Sequence, residues 1–341
     1  MRLAVVGWGG DSGVGRELIE AIRHLPVEAA YILPNNDKPT RKELITVPHY
    51  LAVGRGSVSE MKKFIDDHKI DTVLTWEIPG CWEFPRVWKE KKVRWVHVVH
   101  WDWFAADQMA AWRGAAVLVA PNRMCRDELA KNYGLASVYL PVPVDTDRFA
   151  FKLRAKADHF LSVYAHGGPF DRRSLGEILE AWKKMAAAPK LTILAQKNPP
   201  EVVGHDVPKN VEILVGNAPE PKDLYEIGDV AVQMSRYEGV GISFLEAQAR
   251  GMPVMAIDAP PMNEIAPDLP VARKSTETIS LLGKAVYSHV PSVESIVKVV
   301  ESVKGKDIAD LSRKVRLRVE QLYSWTTLKG RWIEVLAGGA P

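Results

Sequence analysis

The stretch SRYEGVGISFLEAQARGMPV, Ser235 to Val254, sets two carboxylates, Glu238 and Glu246, at the two ends of a glycine-containing turn. Gly239 and Gly241 let main-chain N–H groups approach a ligand with no Cβ in the way. The run ISFLEAQA that follows reads as a helix, with Gly251 as its stop. The amides at its start, those of Val240, Gly241, Ile242, Ser243 and Phe244, have no partners within the helix and carry the positive end of its dipole. That is a site for a diphosphate. Glu246, further along the same helix, can bind two vicinal hydroxyls such as those of a ribose. Glu238, ahead of the glycines, is placed for whatever lies beyond the phosphates. The order fits a nucleotide-activated, hydroxyl-rich molecule.

Such a turn needs a strand before it and a helix after it, and DVAVQMS supplies the strand. The same alternation runs along the whole chain. RLAVV, EAAYILP, IDTVLTW, RWVHVVHW, GAAVLVAP and ASVYLPV read as strands, with helices such as SVSEMKKFIDDHK, FPRVWKEKK and NRMCRDELAKNYG between them. The segment PVPVDTDRFAFKLRAKADH breaks the pattern with two prolines and no sustained period. A second set follows, with strands FLSVYAHGG, KLTILAQ, VEILVGN, DVAVQMS and PVMAID. Its helices are SLGEILEAWKKMAAA, PKDLYEIG, STETISLLGKAVYS, SVESIVKVVESVKG and KDIADLSRKVRLRVEQLYSW. Strands alternating with helices specify an α/β fold of two doubly wound, Rossmann-like domains, which bind ligands at their strand C-termini. The expected division is an acceptor domain over 1–150, a nucleotide-sugar domain over 151–318, and a final helix over 319–341 that returns to the first domain.

Composition narrows the chemistry. A net charge of +3 over 341 residues does not make the chain a nucleic-acid or membrane protein. Cys81 and Cys125 form no metal or redox spacing, which suits a reducing cytosol, and no apolar run approaches the ~20 residues of a spanning helix. The expected location is the cytoplasm. The basic clusters KEKKVR and RKVRLR offer at most a peripheral contact with an anionic surface. The opening VGWGGDSGVG fails as a dinucleotide fingerprint, because Ser12 and Leu18 stand where its last glycine is required in the two frames. An NAD enzyme is disfavoured.

The segment SRYEGVGISFLEAQARGMPVMAIDAPPMNEI resembles the donor-site signature of retaining GT-B-fold glycosyltransferases of family 4, and VPVDTDRF resembles that family's interdomain segment. VEILVGNAPEPKDLYEIGDV, VEQLYSWTTLKGRWIEVL and GGDSGVGR are similar to further pieces of the family pattern, so the resemblance spans the chain, densest over 210–265. It implies that Glu246 holds the ribose, Glu238 serves the transferred sugar, and the amides from Gly239 to Phe244 bind the phosphates. Gly10 and Gly13 of the first glycine loop would join the donor site. The family also sets an Arg and a Lys on the diphosphate. Here Arg173 falls at the Lys position with Arg172 beside it, while His166–Gly168 holds no Arg, which leaves open whether Arg172 or His166 supplies the second contact or the leaving group is less stabilised. The resemblance further implies retention at the anomeric carbon, no catalytic metal and no cofactor, with the leaving phosphate taking the acceptor's proton.

His100, at a strand end in RWVHVVHWDWF, matches the family's histidine near the transferred sugar, and His97 is expected to be packed. Seven of the eleven tryptophans fall between Trp76 and Trp112. Indole faces stack on sugars, so Trp101, with Asp102 and Glu77, is a candidate on the acceptor side. The partners expected are a nucleotide sugar and an acceptor hydroxyl on a glycan, lipid, small molecule or modified DNA base. The competing reading is a protein that binds a nucleotide sugar or nucleic acid without turnover.

Overall fold

The computed structural model describes residues 1–10, 12–34, 40–77, 80–200 and 207–339. Asp11 of the first glycine loop and Ile78 and Pro79 of the TWEIPGCWEF loop lie outside them. The chain forms two compact units. Unit 1 is Met1–Pro143, Leu281–Lys284 and Trp325–Pro341, and unit 2 is Val144–Ser280 and Ala285–Ser324.

In unit 1 the order is β1 (Leu3–Trp8), α1 (Gly13–His24), β2 (Val27–Leu33), β3 (His49–Leu51), α2 (Val58–His68), β4 (Thr72–Trp76), α3 (Phe84–Glu90), β5 (Arg94–Val98), α4 (Met109–Trp112), β6 (Val117–Ala120), α5 (Arg123–Tyr133) and β7 (Val138–Tyr139). The sheet runs β3-β2-β1-β4-β5-β6-β7, all parallel. Buried runs such as TVLTW in β4 follow from helices covering both faces. Local chemistry sets the helix ends. Ser57 and Glu60 form a reciprocal capping box on α2, and Gly134, at φ 61°, closes α5 in the left-handed conformation that a side chain would resist.

Unit 2 contains β8 (His159–Ala165), α6 (Leu175–Lys184), β9 (Lys190–Ala195), β10 (Val211–Val215), β11 (Val230–Gln233), α7 (Ile242–Ala249), β12 (Val254–Ile257), α8 (Met262–Ile265), β13 (Leu269–Val271), all but the tip of β14 (Arg273–Leu281) and β15 (Lys284–Pro291), α9 (Val293–Val303) and α10 (Ala309–Leu322). Its parallel sheet runs β10-β9-β8-β11-β12-β13. The last helix, α11 (Trp325–Ala337), packs within unit 1, where Trp332 Nε1 donates to the Pro141 carbonyl at 3.2 Å and Arg94 to that of Val335 at 3.2 Å.

Three local expectations fail. STETISLLGKAVYS is not a helix: β14 and β15 form a two-stranded ribbon, turning at Leu282 and Gly283, whose φ values are both positive (48° and 77°). Two consecutive positive φ values are the signature of a tight hairpin, and Lys284, Val286 and Ser288 are buried while Ala285 and Tyr287 are exposed, a period of two. The short strands β3 and β13 were not legible, being three residues each at sheet edges. The long terminal helix is broken, with α10 ending at Leu322 and α11 starting at Trp325. Among the described residues no helix is long and apolar enough to cross a membrane.

Candidate active site

In both sheets the chain reverses its winding direction between two paired strands, β1 with β4 in unit 1 and β8 with β11 in unit 2. Loops leaving such a pair diverge and open a crevice at the strand C-termini. The residues singled out from the sequence divide between these two places.

In unit 2 the loops after β8 and β11 are sewn together. Arg236 donates to Asp171 and to Glu177, each at 2.8 Å, its amide donates to the Arg172 carbonyl at 2.9 Å, and the Tyr237 hydroxyl donates to that of Pro169 at 2.9 Å. The loop after β8, headed by half-buried His166, has left-handed backbone at Ala165, Gly167, Gly168, Phe170, Asp171 and Ser174. These bends bring Arg172 and Arg173 onto Glu238. Each guanidinium lies 2.6 Å from a different carboxylate oxygen, and Arg173 also donates to Ser235. Burial alone would raise the Glu238 pKa, but the two arginines outweigh it and hold the carboxyl down at about 2. Arg172 additionally lies over the Tyr237 ring, 5.2 Å from its centroid.

The glycine turn follows directly. Gly241, at φ 75°, takes the cap position of α7, and Gly239, Val240, Gly241 and Ser243 are buried while Ile242 is half-buried. The Phe244 amide is not free as the sequence suggested: it donates to the Gly241 carbonyl at 3.0 Å, because the first turn is wound tightly. Glu246, 1% exposed, accepts from the Tyr225 hydroxyl at 2.8 Å, and Tyr225 also reaches the Ser243 carbonyl at 3.3 Å. Neither Tyr225 nor Ser235 was singled out from the sequence; Tyr225 lies in PKDLYEIG, far from the signature it supports. The chain holds one Asp-x-Asp triplet, Asp145 to Asp147, outside the glycine turn, and Asp145 Oδ1 accepts from the amides of Asp147 and Arg148, both at 3.0 Å.

In unit 1 the loop after β1 passes through Gly10 to Ser12, which caps α1 at Gly13 by accepting from the Gly15 amide at 3.1 Å. A side chain at Gly15 would place Cβ 1.9 Å from the Gly10 carbonyl oxygen, so this glycine sets the close approach of loop and helix. One turn on, Glu17 reaches His100, just beyond β5, with 3.0 Å between Oε2 and Nε2. On the other side Glu77, just beyond β4 in left-handed backbone (φ 55°), lies 3.5 Å from His100 Nδ1. Burial would lower the His100 pKa, but Glu17 and Glu77 outweigh it and raise it well above the ordinary value. Burial raises the Glu77 carboxyl despite His100. His97 is packed, with Nδ1 2.7 Å from Thr75 Oγ1, and burial pushes it down to about 3.

Trp101 is 4% exposed and stacks on Phe104 at 5.9 Å, while Lys284 Nζ sits over its ring at 5.4 Å and 3.4 Å from the Asp102 carbonyl. Burial brings the Lys284 amine down to about 8, opposed by Asp102. The exposed indole here is Trp103, at 45%. Glu17 and Lys284 were both missed from the sequence: one stands on a helix, the other was assigned to a helix that does not form.

The family model for glycosyl transferases group 1 matches residues 203–270, the segment holding β11, the glycine turn and α7. No curated protein matches the chain in sequence. Among solved structures, the chain is similar to Anabaena HepE in complex with UDP-glucose (TM-score 0.74, 12% identity, 99% of each chain). It is also similar to a glycosyltransferase of Rickettsia africae (0.73, 14%, 98% of each) and to sucrose-phosphate synthase of Thermosynechococcus elongatus (0.68, 13%, 98% of each). The fold is GT-B. In GT-B terms unit 1 is the N-terminal Rossmann-like domain and unit 2 the C-terminal one.

Proposed function

We propose that this chain is a glycosyltransferase that moves a sugar from a nucleoside diphosphate sugar to an acceptor hydroxyl, with retention at the anomeric carbon and without a catalytic metal. The observation that carries the reading is the arrangement in unit 2. A carboxylate held ionised by two arginines stands before a glycine turn, and a second carboxylate, buried with a tyrosine hydroxyl, stands on the helix that the turn starts. Glu246, with Tyr225 behind it, would take the ribose hydroxyls. The amides from Gly239 to Ser243 and the surplus positive charge of Arg172 and Arg173 over Glu238 would take the diphosphate. Glu238 would face the sugar as positive charge develops at its anomeric carbon, a fixed and desolvated anion of the kind that costs no reorganisation during reaction.

In the step itself the bond from the anomeric carbon to the phosphate oxygen breaks and the electron pair stays on the diphosphate. The acceptor oxygen bonds to the same face of that carbon, and its proton passes to the leaving phosphate. Unit 1 would supply the acceptor side, with His100, Glu77, Trp101 and Asp102 as its candidate residues, and Gly10 and Gly13 remain candidate donor-binding residues. The pairing of HepE with UDP and with UDP-glucose makes uridine donors the first to test.

The test is a thermal-shift screen of nucleoside diphosphate sugars, then acceptor assays on glycans, lipids, small molecules and hydroxymethylated DNA with the donor that binds. Stabilisation by one donor series and glycoside formation supports the reading. Stabilisation with no transfer to any acceptor class supports a binding protein, and no stabilisation by any donor overturns both.

A further inference from the structure

The glycine loop of unit 1 leads into a helix whose first turns carry an acidic residue that nothing above assigns. Glu17 is 4% exposed, and its Oε2 lies 3.0 Å from Nε2 of His100. His100 is itself 5% exposed, and its other ring nitrogen faces Glu77 at 3.5 Å. A neutral imidazole offers one N–H and one lone pair, so between two carboxylate oxygens it would set a lone pair against an anion. The arrangement is satisfied when both ring nitrogens carry protons. We propose that Glu17 is a positioning residue that, with Glu77, clamps the His100 ring from both nitrogens and keeps it a cation, so that His100 acts on the reaction by its charge and not as a proton acceptor.

The surrounding groups fit. Among the described residues, Glu17 on α1 and Glu77 after β4 act on the ring, His97 on β5 is acted on by it, and Asp102, in the turn after β5, acts on Glu77. His97, pushed down to about 3 by burial first and then by His100, stays neutral and adds no competing charge. The same geometry accounts for the left-handed backbone at Glu77: the chain leaves β4 with a sharp bend, and the carboxylate arrives at Nδ1. The role rests on the transfer reaction proposed above, in which the acceptor's proton goes to the leaving phosphate and no side chain has to receive it.

The test reads His100 directly and needs no substrate. In the intact protein with labelled histidine, the His100 Cε1–H resonance is identified among the nine by its loss in His100→Gln. It should stay at its charged position through neutral pH instead of titrating near 6.5. Glu17→Gln should bring its midpoint down by at least about one pH unit, and Glu77→Gln should bring it down by less, since that contact is longer. The two variants also keep the test open should one of them fail to fold. Turnover in Glu17→Gln should gain a pH dependence that tracks the new midpoint, while affinity for the bare nucleoside diphosphate stays as in the wild type. A wild-type midpoint near 6.5, or a midpoint unmoved in both variants, overturns the clamp. Failure of every nucleotide to bind, with the titration as expected, overturns the transferase reading and leaves the clamp standing.

Discussion

Replacing Glu238 by Gln tests the arginine-held carboxylate at the centre of the donor site. The Glu238 side chain is 5% exposed, and those of Arg172 and Arg173 are 16% exposed each, so solvent screens the trio little. The folded-state pKa lies at about 2 against an ordinary 4.5, and each pH unit between them carries about 1.4 kcal/mol, so the ionised carboxylate contributes at most about 3.5 kcal/mol. Because the folded value is the lower one, this contribution is fully present above 4.5 and is lost as pH falls towards about 2. Glutamine keeps the size and removes the charge, leaving two guanidinium groups without their anion, a change that costs on the order of 3 kcal/mol in buried pairs. Urea denaturation of wild type and variant should therefore show the variant less stable by about that amount at about pH 7, with the gap closing as the pH falls below about 4.5. Turnover with a full donor should fall at least ~10-fold, or roughly 1.4 kcal/mol, with no weakening of the bare nucleoside diphosphate, which has no sugar to meet Glu238. A stability gap that is absent at neutral pH, or that persists unchanged in acid, refutes the reasoning.

Glu246→Gln should weaken the bare nucleotide and the full donor alike, by roughly tenfold or more, since a hydrogen bond to a charged group is worth about 1.5–3 kcal/mol; calorimetry with both ligands checks it. Gly241→Ala should cost about 1 kcal/mol or more of stability and weaken donor binding, because φ is 75° there and the new Cβ would lie 2.8 Å from Ile265 Cδ1; a melt with and without nucleotide reads both. Transfer should survive EDTA, since side-chain cations and amides carry the diphosphate charge in this reading. Loss of activity with EDTA, restored by magnesium or manganese, would refute it.

The alternation of strands and helices, the glycine turn and the two glutamates around it were all legible in the sequence, because each is a relation between near neighbours. A strand repeats every two residues and a helix every three or four, and a helix start is a matter of which side chains cap the first turn. Where neighbours give two answers, as in STETISLLGKAVYS, the local reading failed, and the left-handed pair Leu282–Gly283 chose the ribbon. The chemistry of the site lay elsewhere. Glu238 meets Arg172 and Arg173 across 66 and 65 positions of chain, and His100 meets Glu17 across 83. Those pairings exist because β8 lies beside β11, and β1 beside β4 with β5 next after it, with their C-terminal loops at one edge of each sheet. From the sequence alone the arginines were assigned to a phosphate and Glu17 was a helix residue. Strand order, set by which apolar faces pack together over the whole domain, brought the arginines onto Glu238 and Glu17 onto His100.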